Sequence, residues 1–196
     1  MISVTVEGSA PRHQAIGRDG AQPGDLIMVS GNLGDSALAL RLIEEEKEAH
    51  TNLLKRHHQP VAQVELGRLL GENHFASAMI DVSDGLAGDL EHILQASQVD
   101  GLIEAAELPF SEEFQVHLGK TPALLELALY GGEDYELLFT VTPDKAPSVR
   151  EICANRQLPI TTIGCISKGS GLLSLKDKTG EVRPILVRGY DHFCRT

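Results

Sequence analysis

The chain has 196 residues, enough for one sizeable domain with or without an appendage. Its 28 acids against 17 bases leave a formal charge of -11, which argues against nucleic acid and anionic membrane surfaces as partners. With 42% hydrophobic residues, no apolar run of membrane-spanning length, and no basic segment followed by an apolar core in MISVTVEG, a soluble, unexported protein is expected.

The three cysteines, Cys153, Cys165 and Cys194, are odd in number and lack C-x-x-C spacing. Reduced thiols in a cytoplasmic protein are therefore expected, and neither a disulfide framework nor a structural zinc site.

In chain order, ISVTVEG (2–8) alternates apolar and polar residues and reads as a strand. The polar Gly/Pro stretch 9–25 reads as a linker, and LIMVSG (26–31) as a buried strand. A helix follows GNLGDS, with Leu38, Leu42 and Ile43 on its apolar face. The chain breaks around Pro60, then continues as a helix through VAQVELGRLLGEN, a strand over 76–82 and a helix over 85–97. A strand is expected over 102–108, a helix over 122–130, a strand over 135–141, and a helix through APSVREICANRQ. ITTIGCI, LLSLKD and PILVRG read as closing strands. Helices and strands alternate, but the last third is strand-rich with short connections. An α+β fold with a mixed β-sheet packed by helices follows.

DVSDGLAGDL (81–90) concentrates carboxylates where a strand turns into a helix. One reading is a helix cap, with Ser83 or Asp84 accepting a first-turn N–H and Asp89 an ordinary exposed residue. That leaves Asp81, which follows Ala-Met-Ile at the end of a buried strand, without a reason. The other reading is a divalent cation: Asp81 and Asp84, three apart across a tight turn, could face one point. Mg²⁺ takes one or two carboxylates together with phosphate oxygens, and a helix N-terminus favours the phosphate. The pattern alone leaves both open.

GNLGDS (31–36) has no lysine and is read as a Gly turn with an Asp35/Ser36 cap. In GGEDYELLF (131–139) the choice is between a glycine C-cap with solvated acids and a backbone that a ligand approaches closely beside Glu133. KRHHQP (55–60) reads as a solvated connector, since adjacent histidines diverge on a helix. GYDHF (189–193) is either a packed tail or an aromatic platform for a ring ligand.

Taken together, GDLIMVSGNLGDSALAL, KRHHQP, IDVSDGLAGDL, LPF, GGEDYELLFTV, IGCI and GYDHF, in this order, resemble the C-terminal domain of the thiamine-monophosphate kinase family. That family belongs with aminoimidazole ribonucleotide synthetase, selenophosphate synthetase and a hydrogenase maturation factor. The resemblance implies their C-terminal α+β domain over 26–196, with 1–8 as the last strand of a preceding domain and 9–25 as the linker. It implies phosphoryl transfer from ATP to thiamine monophosphate, assisted by Mg²⁺. By motif match, Asp81 and Asp84 correspond to magnesium ligands, Ser83 to a nucleotide contact, and Glu133 and Tyr190 to substrate-binding positions; no catalytic residue is assigned.

The resemblance also implies a homodimer formed through an N-terminal domain that carries further metal-binding aspartates. Neither that domain nor the family's Pro and Arg after the KRH segment has a counterpart here; VAQ (61–63) stands in place of the latter. This chain alone is therefore expected to hold about half a site and to show no turnover. Two alternatives remain: another synthetase of the group, or a non-catalytic ligand-binding or scaffold domain.

Overall fold

The computed structural model describes residues 14–185, together with 5, 7 and 9–11. The strand expected over 2–8 falls largely outside them, and Tyr190 wholly so. Seven strands are present among the described residues: β1 (Leu26–Ser30), β2 (Ala76–Asp81), β3 (Val99–Glu104), β4 (Leu137–Val141), β5 (Ile160–Lys168), β6 (Leu173–Lys176) and β7 (Val182–Pro184). They form one sheet in the order β2-β4-β1-β5-β3-β6-β7. Only β3 and β6 pair in parallel, so the sheet is mixed, as expected.

Seven helices accompany it among the described residues: α1 (Asp35–Glu44), α2 (Thr51–His58), α3 (Val64–Glu72), α4 (Leu86–Ser97), α5 (Glu112–Lys120), α6 (Leu125–Tyr130) and α7 (Ala146–Asn155). Strand alternation sorts the side chains between two cores. Ile27 and Val29 of β1 join Leu38, Leu53, Leu90, Ile93 and Phe114 on the face covered by α1, α2, α4, α5 and α6. Met28 points the other way and joins Leu66, Leu70, Phe139, Val149 and Cys153 under α3 and α7.

Several elements differ from expectation for identifiable reasons. The strand predicted over 102–108 is β3, ending at Glu104; Ala105–Glu107 is a 3-10 turn, since two alanines ahead of Leu108-Pro109 have little strand preference. The helix containing Leu38 and Leu42 stops at Glu44, and Ile43 is exposed. KRHHQP is the end of helix α2 rather than a connector. Helix α5 has no counterpart in the sequence reading; Ser111 caps it, its Oγ accepting from the Phe114 N–H at 3.0 Å.

Topology brings the chemistry-bearing loops to one edge. β1 and β2 both run antiparallel to β4, so their carboxyl ends meet the amino end of β4. Asp81 pairs with Leu137 and Val29 with Leu138. The turns 31–34, 82–85 and 131–136 therefore lie side by side.

Candidate functional site

The turn after β2 is held from inside. Asp89, within the apolar stripe of Leu86, Leu90 and Ile93, is 2% exposed and turns back under the loop. Its Oδ2 accepts from the Ser83 N–H at 2.9 Å and the Asp84 N–H at 3.0 Å. Burial pushes its carboxyl up to about 6; the two N–H donors oppose that shift, and the Asp84 and Asp81 charges add to it. The N-cap of α4 is Gly85 and carries no side-chain cap. This corrects the capping reading twice: neither Ser83 nor Asp84 caps the helix, and Asp89 is not exposed. Asp81 and Asp84 are both exposed, so Asp81 is not the buried carboxylate that its position after Ala-Met-Ile suggested.

The turn before β4 is laced to this one. The Glu133 N–H donates to the Ser83 carbonyl at 2.9 Å, and the Tyr135 N–H to the Val82 carbonyl at 2.8 Å. A Cβ on Gly132 would collide with the Ser83 carbonyl, and one on Gly85 would lie 2.8 Å from the Tyr130 carbonyl carbon. The glycines are there so that backbone can approach backbone. Gly131 is the C-cap of α6, but in an extended conformation.

Of the three acids in this turn only Glu133 is exposed. Asp134 supplies the cap that α1 lacks. Its Oδ2 accepts from the Gly34 N–H at 2.8 Å and its Oδ1 from the Ser36 N–H at 3.5 Å. Burial pushes its carboxyl up to about 7, against those two donors and with the Asp35 and Glu136 charges. Glu136, 1% exposed, accepts from Ser30 Oγ at 2.5 Å and from Arg56 Nη1 at 3.2 Å. Asp35 is buried and accepts from Ser111 Oγ at 2.6 Å. Burial raises the pKa of both Glu136 and Asp35. The Asp35/Ser36 cap expected in GNLGDS is thus replaced by a carboxylate about a hundred residues away, and the acids of GGEDYEL are only partly solvated.

Two clefts adjoin, and Ser83 and Asp84 line both. The first, about 430 Å³, adds Asp81, Asp89, Arg18 and His92. The second, about 610 Å³, adds Ser36, Leu40, Arg41, Glu44, Glu45, Leu127, Tyr130 and Glu133. Four of the five residues singled out from sequence, Asp81, Ser83, Asp84 and Glu133, therefore meet; Tyr190 lies outside the described residues. Among the described residues no three His, Cys, Asp or Glu side chains converge as a metal-ligand set. Two exposed carboxylates on one turn suit a hard cation that takes its other ligands from phosphate and water.

Residues 22–173 match the family AIR synthase related protein, C-terminal domain. The chain belongs to this family. It is 37% identical over 200 residues to the thiamine-monophosphate kinase of Escherichia coli (strain K12), covering 98% of this chain and 60% of that one. The crystal structure of thiamine-monophosphate kinase from Stenotrophomonas maltophilia K279a superposes with a TM-score of 0.78 at 39% identity, over 88% of this chain and 55% of that one. AaThiL complexed with AMPPCP and TMP superposes with a TM-score of 0.74 at 36% identity, over 91% and 54% of the two chains. This chain thus spans about 60% of the length of the curated relatives it matches.

Within this family domain, sequence reading passed over Asp89, Asp134, Glu136, Arg56 and His57. Asp89 did leave a signal, an acid inside the apolar stripe of an amphipathic helix. The others lie inside GGEDYELLF and KRHHQP, but their roles were not legible there because their partners sit on distant elements.

Proposed function

We propose that this chain is the substrate- and nucleotide-binding part of a phosphotransferase that moves the γ-phosphoryl group of ATP to thiamine monophosphate. The observation that carries the reading is the lacing of turn 82–85 to turn 131–135, which sets Asp81, Ser83 and Asp84 against one cleft and Glu133 against its neighbour. The relatives' names and the complex of a relative with AMPPCP and TMP supply the two ligands.

In this reading the first cleft takes the nucleotide phosphates. Asp81 and Asp84 would hold Mg²⁺, which supplies charge neutralisation on the phosphate oxygens. Arg18 and His92 face the same space and offer further positive or donor groups to the phosphates. Ser83 offers a hydroxyl at the junction of the clefts. The second cleft suits a flat organic cation: its walls include Leu40, Leu127 and Tyr130, and Asp84, Glu44, Glu45 and Glu133 outnumber Arg41. The thiazolium of thiamine carries that permanent charge, and a tyrosine face adds a cation–π contact of about 0.5–2 kcal/mol. Tyr190 keeps its substrate-side assignment as part of this proposal.

Transfer breaks the bond from the γ-phosphorus to the β,γ-bridging oxygen and forms one to a phosphate oxygen of thiamine monophosphate, releasing ADP. The protein's part is positioning and charge stabilisation. The whole enzyme would be a cytoplasmic homodimer, with turnover requiring more than this 196-residue chain.

Isothermal titration tests the reading. Thiamine monophosphate should bind the chain, and Glu133→Gln should weaken it while sparing ATP with Mg²⁺. Asp81→Asn should do the reverse, and Asp84→Asn, which lines both clefts, should weaken both ligands. Selective binding of an aminoimidazole ribonucleotide precursor or selenide would transfer the chain to another synthetase. Binding of none of these ligands would favour a scaffold role.

A further inference from the structure

Helix α2 stands behind the second cleft and does not line it. Its last turn nevertheless reaches the two elements that do. Consecutive residues take consecutive parts of the 133–136 turn: Arg56 Nη1 lies 3.2 Å from buried Glu136, and His57 faces Glu133. His57 Nδ1 is 2.9 Å from Ser36 Oγ, and Ser36 is 2% exposed at the start of α1. The same nitrogen is 3.9 Å from Glu133 Oε2, beyond hydrogen-bond range but close enough for charge and dipole to act. Among the described residues no Lys or Arg nitrogen and no other His nitrogen lies within 4 Å of that carboxylate.

The Glu133 side chain is 58% exposed, whereas that of His57 is 15% exposed. An exposed glutamate has up to about 2 kcal/mol of rotamer entropy to lose when a ligand fixes it. The backbone beneath it is already committed: Glu133 and Tyr135 both sit in the left-handed region, at φ 67° and 52°, where non-glycine residues are strained. What backbone strain leaves undetermined is the direction of the carboxylate.

We infer that His57 is a positioning residue for the second cleft: bonded to Ser36, it sets the direction of the Glu133 carboxylate and so strengthens the grip on an organic cation without touching it. The inference rests on the reading of that cleft given above. Its basis is the pairing of one half-hidden imidazole with both Ser36 and Glu133, which come from different elements and line the same space. Preorganising a group that the ligand would otherwise have to fix is a general source of affinity.

The test compares the 196-residue protein with His57→Ala and His57→Asn by isothermal titration, using thiamine monophosphate and, separately, ATP with Mg²⁺. His57→Ala should weaken thiamine monophosphate binding by about fivefold, the scale of one lost hydrogen bond. ATP binding should stay near that of the unaltered protein, with a fall in melting temperature no larger than the loss of one hydrogen bond gives. His57→Asn should recover most of the affinity, since its amide reaches Ser36 from the position of Nδ1. Unchanged or tighter binding in His57→Ala overturns the inference. So does an equal loss for both ligands accompanied by a lower melting temperature, which is what a merely structural histidine would give. Failure of the unaltered protein to bind thiamine monophosphate overturns the cleft reading itself, and the inference with it, without recourse to any variant.

Discussion

The two acid-bearing turns at the edge of the sheet solve one problem in different ways. Each shows some carboxylates to solvent and spends others on its own backbone. In the 81–85 turn Asp81 and Asp84 face outward, while one buried oxygen of Asp89 holds two N–H groups. In the 131–136 turn only Glu133 faces outward. Asp134 holds two N–H groups of the 34–36 turn, Glu136 takes a hydroxyl and a guanidinium, and two non-glycine residues are left-handed. The first is a light frame and the second a strained, heavily braced one. Which carboxylate faces a ligand depends less on local sequence than on which neighbour needs an acceptor.

The comparison breaks most sharply where the turns touch. Gly85 has φ 106° and ψ 148°, a region almost restricted to glycine, and an added Cβ would press on Tyr130. Gly85→Ala should cost about 3 kcal/mol from strain plus overpacking. Denaturant unfolding measures it, and wild-type stability in that variant would mean that the turns are not tied together.

Next in size is the inward acid of the light frame. Asp89→Ala leaves the Ser83 and Asp84 N–H groups without their acceptor and should cost about 2 kcal/mol. Asp89→Asn should cost less than about 1 kcal/mol, because both bonds go to a single oxygen that the amide carbonyl can replace. Asp84→Asn, on the outward side, should change stability by no more than about 0.5 kcal/mol. An Asp84 variant as unstable as Asp89→Ala would reverse the inward and outward assignments.

A smaller effect concerns pH. Asp89 and Asp134 are both raised, from 3.8 to about 6 and about 7, chiefly by burial. A raised carboxyl favours the protonated folded state, so its contribution to stability is complete below about pH 3.8 and is lost as pH rises through 6 and 7. Stability should fall between about pH 4 and 7, each group adding at most about 1.4 kcal/mol per pH unit. Asp134→Asn should lessen the fall throughout and remove it above about pH 6, whereas Asp89→Asn should lessen it only below about pH 6. Unfolding free energies at a series of pH values check this; an unaltered slope in Asp134→Asn would show that its carboxyl is not the group lost.

The sequence by itself determined the elements whose apolar periodicity is long or strongly bounded: β1, β2, β4, α3, α4, α7 and the mixed character of the sheet. It also marked the turns where chemistry gathers, because glycines and acids clustered between apolar runs are locally visible. It named Asp81, Ser83, Asp84 and Glu133, and all four meet at adjoining clefts. Burial was not legible in this way. Asp134 caps a helix whose Gly34 lies 100 residues away, Glu136 meets Arg56 across 80, and His57 meets Ser36 from a segment read as a connector. An isolated segment shows how many acids it carries but not which of them will lose water, since desolvation is set by the elements that pack over it. Only the tertiary structure, by placing β4 between β1 and β2, decided which carboxylates became braces and which were left to face a ligand.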